Sequence, residues 1–80
     1  MRYQASGVCA NYIDIELEEN TILSVQFGGG CNGNLKGISS LVIGMKVDEA
    51  IKRLKGIQCG NKASSCPDQL AIALESMTTN

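Results

Sequence analysis

The stretch Ile13-Asp14-Ile15-Glu16-Leu17-Glu18-Glu19-Asn20-Thr21-Ile22-Leu23-Ser24-Val25-Gln26-Phe27-Gly28-Gly29-Gly30 decides the fold. Ile13, Ile15 and Leu17 alternate with Asp14, Glu16 and Glu18, the period of two that marks a half-buried strand. Glu19-Asn20 supplies a turn, Asn being tolerant of a positive φ. Leu23, Val25 and Phe27 then alternate with Ile22, Ser24 and Gln26, so a return strand completes a hairpin with one apolar and one wet face. Upstream, residues 3–8 alternate more weakly and are expected to form an edge strand.

Beyond the glycines the period changes. Leu35, Ile38, Leu41 and Val42 recur at helical spacing, and Gly44 ends that helix. Gly37 costs the helix about 1 kcal/mol against Ala, so a close packing contact is expected there. Val47, Ala50, Ile51 and Leu54 mark a second helix. Asp48 and Glu49 in its first turn, and Lys52, Arg53 and Lys55 in its last, suit the helix dipole. Gly56 closes it. A third helix opens at Cys66-Pro67, with Pro67 expected at the first helical position because its missing N–H would be unpaired there anyway. Leu70, Ala73, Leu74 and Met77 form its buried stripe, and Thr78-Thr79-Asn80 reads as a frayed tail. The expected architecture is α+β: a small antiparallel three-stranded sheet followed by three helices packed on one face.

Eighty residues form one domain, spanning 1–80. A chain this short buries a little over ~60% of its unfolded surface, so the core is thin and gains from a staple such as a metal, a disulfide or a homodimer partner. With two Tyr, one Phe and no Trp, that core must be aliphatic. The net charge of −1 gives no overall field for nucleic acid or membrane. Acidic Asp14, Glu16, Glu18 and Glu19 crowd the first quarter, whereas Lys36, Lys46, Lys52, Arg53, Lys55 and Lys62 lie further on. Met1-Arg2-Tyr3-Gln4 lacks the apolar region of a signal peptide, and no apolar run approaches the ~20 residues of a membrane span. The chain reads as cytoplasmic, where thiols stay reduced.

The four cysteines carry the chemistry on offer: Cys9, Cys31, Cys59 and Cys66. A cysteine at a helix start sits where amide N–H groups are unpaired and the macrodipole is positive, a setting that favours the thiolate which binds metal or attacks. Cys66 occupies such a start, and Cys31 occupies another after Gly28-Gly29-Gly30. That glycine run lacks the Lys-Ser/Thr ending of a phosphate loop, so room for a thiolate and its ligand is the better reading. The six residues between Cys59 and Cys66 exceed the spacing of an ordinary zinc knuckle. No His is present to act as general base or ligand. A protein-only tetrahedral site needs all four thiolates, or three with a carboxylate, for which Asp68 is the nearest acidic candidate. Thiol redox chemistry and inert buried cysteines are the alternatives.

Gly29-Gly30-Cys31-Asn32-Gly33-Asn34-Leu35-Lys36-Gly37-Ile38-Ser39, together with Cys59-Gly60 and Ser65-Cys66-Pro67-Asp68-Gln69-Leu70, resembles the TSCPD domain family. Ser64 stands where the run that names the family has Thr, and Gly7-Val8-Cys9 fits a third motif. The resemblance implies an association with ribonucleotide reductase and metal binding by cysteines, as Zn²⁺ or an iron–sulfur cluster. A more distant similarity joins Cys9, Cys31 and Cys66 to iron–sulfur assembly scaffolds of the IscU/NifU type, which this chain departs from by lacking their His. The expected function is an accessory metal-binding domain in deoxyribonucleotide synthesis, working with ribonucleotide reductase or another enzyme and not catalytic alone. The alternatives are a dithiol protein, using Cys59–Cys66 or Cys31–Cys66, that passes electrons to a reductase, or an iron–sulfur scaffold-like protein.

Overall fold

A computed structural model describes residues 1–5, 10–29, 32–58, 60 and 64–78. Its sheet has three antiparallel strands in the order β1 (Arg2–Gln4), β2 (Tyr12–Glu18) and β3 (Thr21–Gly28). The expected α+β architecture is the one observed. The alternation in β2 holds, with Ile13 and Ile15 buried beneath the sheet and Glu16 and Glu18 exposed above it.

Two details of the hairpin differ from the simple pattern. Asp14 pairs with Gln26 and Glu16 with Ser24, but Leu17 pairs with Ile22, so β3 carries one extra residue, Leu23. Such a bulge resets which side chains face inward. Ile22 and Val25 are therefore both buried, while Leu23, expected on the apolar face, is 48% exposed. In the turn, the positive φ of 56° falls on Glu19, not on Asn20. Asn20 instead presents its carbonyl to the Val47 N–H at 2.8 Å. The edge strand begins one residue earlier than expected and ends at Gln4, although the Ala5 N–H still donates to the Asn11 carbonyl at 3.1 Å. Residues 6–8 of the expected strand lie outside the described residues.

Three helices follow: α1 (Asn32–Val42), α2 (Val47–Leu54) and α3 (Cys66–Thr78). The sequence of α1, with two glycines, two asparagines and two serines in eleven residues, is a poor helix former. Packing of Leu35, Ile38 and Val42 against the rest of the protein compensates. Leu41, expected in that stripe, is 77% exposed because it lies beyond Ile38 around the helix. Gly37 also departs from expectation: nothing lies within 4 Å of where its Cβ would be. Between α1 and α2 the chain lies along the free edge of β3, where Gly44 N–H donates to the Ile22 carbonyl and Ile22 N–H to the Met45 carbonyl. This cover protects an edge that would otherwise present unpaired backbone groups.

α3 packs against α2 and, among the described residues, buries far more of its length than α2 does. Cys66, Asp68, Gln69, Leu70, Ala71, Ala73 and Leu74 are all buried, and the small Ala71 and Ala73 permit close approach by neighbours. Leu70, Ala73 and Leu74 fulfil the expected stripe, whereas Met77 is half-buried. Together with Ile13, Ile15, Ile22, Val25, Val42, Val47 and Ala50 they form one aliphatic core. Each fully buried Leu or Ile contributes about 1.5–3 kcal/mol relative to exposure. The helix continues through Thr78, expected in the tail, whose hydroxyl donates to the Leu74 carbonyl at 3.0 Å. No helix among the described residues is long and apolar enough to cross a membrane.

Candidate functional site

At the end of the sheet where β2 begins and β3 finishes, the Asn11 N–H donates to the Gly28 carbonyl at 2.7 Å. A Cβ on Gly28 would overlap the Tyr12 ring, so the space this glycine leaves is filled by Tyr12. Gly29 has a φ of +84°, the left-handed conformation that favours glycine, and carries the chain away from β3. Beneath this corner Ala10, Leu35 and Cys66 form a small buried cluster of their own, bordered by Phe27 and Ile38. Cys66 is a free thiol.

A polar clasp fixes the start of α3. The Ser65 hydroxyl accepts the Asp68 N–H at 3.2 Å and donates to the Ile57 carbonyl at 2.6 Å. Ser65 is thus the helix N-cap, Cys66 the first helical residue and Pro67 the second, one position later than expected for the proline. The carboxylate of Asp68 accepts the Gly56 N–H at 2.7 Å and also the Ser64 hydroxyl. Ser64 in turn accepts a hydrogen bond from the Gln69 amide at 3.1 Å. The Ser64 hydroxyl and then the Gly56 N–H hold the Asp68 carboxyl below its ordinary range, since both stabilise the ionised form. Gly56, with φ +89°, ends α2 and is thereby tied directly to the beginning of α3. The spacing Ser65-x-x-Asp68 is a capping signature and was the signal that locates Ser65; the Gly56 amide has no counterpart signal in the sequence.

Of the expected ligands, Cys66 and Asp68 are described, and Cys9, Cys31 and Cys59 lie outside the described residues. Among the described residues no three Cys, Asp or Glu side chains group together to hold a metal. Each carboxylate oxygen of Asp68 accepts one hydrogen bond in the clasp. What the fold does gather is described chain within four residues of each of the other three cysteines. Ala10, which follows Cys9, packs with Cys66, as does Leu35 in the helix that begins just after Cys31. Ile57, two residues before Cys59, is bonded to Ser65.

The chain matches the TSCPD domain model over residues 1–78. It belongs to the TSCPD domain family. No curated protein and no solved structure gives a significant match. In this TSCPD domain the Ser65-Cys66-Pro67-Asp68 run is first of all a helix start, in which the serine caps, the proline needs no N–H partner and the aspartate anchors the end of α2. Ser64 bonds Asp68 through its hydroxyl, the group that the Thr of the family-naming run also carries.

Proposed function

We propose that this TSCPD domain binds Zn²⁺ or an iron–sulfur cluster through Cys9, Cys31, Cys59 and Cys66, as a cytoplasmic accessory to ribonucleotide reductase. The observation that carries the reading is the gathering of chain at the Cys66 corner. Ala10 and Leu35 pack with Cys66, and Ile57 is bonded to the residue before it, so segments remote in sequence, each within four residues of another cysteine, meet around the start of α3. Two helices, α1 and α3, also begin there, and their N-termini favour bound anionic thiolates. Asp68 is left out of the proposed ligand set because four thiolates complete a tetrahedral site; its carboxylate oxygens accept hydrogen bonds from Gly56 and Ser64. Family membership supports the link to ribonucleotide reduction. When bound, zinc would act as a structural staple for a thin core, and a cluster would supply electron transfer.

Elemental analysis of protein purified without tag or chelator tests this. Stoichiometric zinc or iron, lost when any one of the four cysteines is replaced by serine and leaving the other three thiols reactive, is the expected result. A folded protein that carries no metal and takes up neither zinc nor cobalt overturns the reading. Metal-free protein with one reversible disulfide per chain would instead select the dithiol alternative.

A further inference from the structure

We infer that Ser65 and Asp68, helped by Ser64, are positioning residues that hold Cys66 in register with the chain leaving α2, and so tune a site they do not themselves ligate. The inference rests on the proposed metal site. Ser65 joins α3 to Ile57, and Asp68 joins it to Gly56, so two consecutive residues after α2 are each pinned to the helix start. Cys66 sits between these anchors, one residue after Ser65 and two before Asp68. Its position is therefore set by two hydrogen-bonded supports on one turn of helix, one of them a hydrogen bond to a carboxylate, the stronger kind. Ser65 is 4% and Asp68 7% exposed, so the helix side of both bonds is buried, while their partners Gly56 and Ile57 lie at the surface. The arrangement has the logic of outer-shell partners in metal sites, which orient a ligand and whose loss typically lowers affinity about 10–100-fold.

The test compares cobalt affinity, read by sulfur-to-cobalt charge transfer with zinc competition, across wild type and four variants of the 80-residue chain. Asp68→Asn and Ser65→Ala are expected to bind about 10–100-fold more weakly than wild type at unchanged stoichiometry, and Ser65→Thr to retain affinity. Val47→Ala is the control, because it loosens the aliphatic core beside the far end of α3, near Thr78, and is expected to leave affinity unchanged. Equal affinity in Asp68→Asn and wild type, or an equal loss in Val47→Ala, overturns the inference. Should wild type carry no metal as purified and take up neither zinc nor cobalt, the metal reading fails by itself, and alkylation of Cys66 followed by peptide mapping decides the rest. Faster alkylation in Asp68→Asn than in Val47→Ala then supports positioning, and equal rates overturn it.

Discussion

The two ends of α3 are held by different physics. From Leu70 onward the helix lies in a cluster of ten buried residues, all aliphatic, contributed by two strands and three helices. At Cys66 the hydrophobic cluster shrinks to Ala10, Leu35 and the cysteine itself, and hydrogen bonds to Ser65 and Asp68 take over. Non-directional burial fixes the first region and directional bonds fix the second. The aliphatic end tolerates small displacements, whereas the polar end specifies where one sulfur sits. Stability should therefore be concentrated in one region and site geometry in the other.

The largest expected effect belongs to the aliphatic end. Leu74 is fully buried, and Leu74→Ala should destabilise the domain by about 2–5 kcal/mol, read from the shift of a urea unfolding transition. A loss well under that range would mean the cluster collapses around the deletion, and the contrast between the two ends would weaken.

The polar end should answer to pH. The Asp68 carboxyl is held below its ordinary range by Ser64 and Gly56, so the unfolded chain takes up its proton at a higher pH than the folded protein does. That stability is fully present above the unfolded value, about 4, and is lost as pH falls through the folded value. Asp68→Asn should cost about 1.5–3 kcal/mol at neutral pH, as expected for hydrogen bonds to a charged group, and the gap to wild type should narrow below about pH 4. Denaturant titrations at several pH values check this; a gap that stays constant in acid would assign the cost to packing instead of charge. Asp14 is likewise lowered, by Arg2, but that pair is on the exposed sheet face and should contribute little.

The same contrast explains what was legible in the sequence. Periodicity located both long strands, α1 and α2, because each buries an apolar face and leaves the other wet; α3, buried nearly all round its first two turns, was located by its Cys66-Pro67 start and its Leu70, Ala73 and Leu74 spacing. It misassigned Leu23, since one bulge residue in β3 reverses the alternation without changing composition. It also misassigned Leu41, which satisfies helical spacing yet lies at the margin of the buried face. At the candidate site, the cysteines and Asp68 stand out as residue types. Their partners do not, because a backbone N–H such as that of Gly56 carries no letter in the sequence. Ser65 was within reach through its capping spacing, but its second bond, to Ile57, depends on where α2 ends in space.

Two glycines sharpen the comparison further. Gly28 cannot gain a Cβ without meeting the Tyr12 ring, whereas Gly37 has open space and lies within α1. With no neighbour to displace, Gly37→Ala should stabilise the domain by up to about 1 kcal/mol, mainly by reducing the freedom of the unfolded chain. A rise in the thermal midpoint checks the sign. α1 spans the two regions, with Leu35 packing beside Cys66 and Val42 in the aliphatic core. A stiffer α1 that raises stability while leaving cobalt affinity unchanged would show that the two regions are energetically separable. If affinity rises as well, α1 transmits order to the cysteine corner, and the helix belongs to the site as much as to the core.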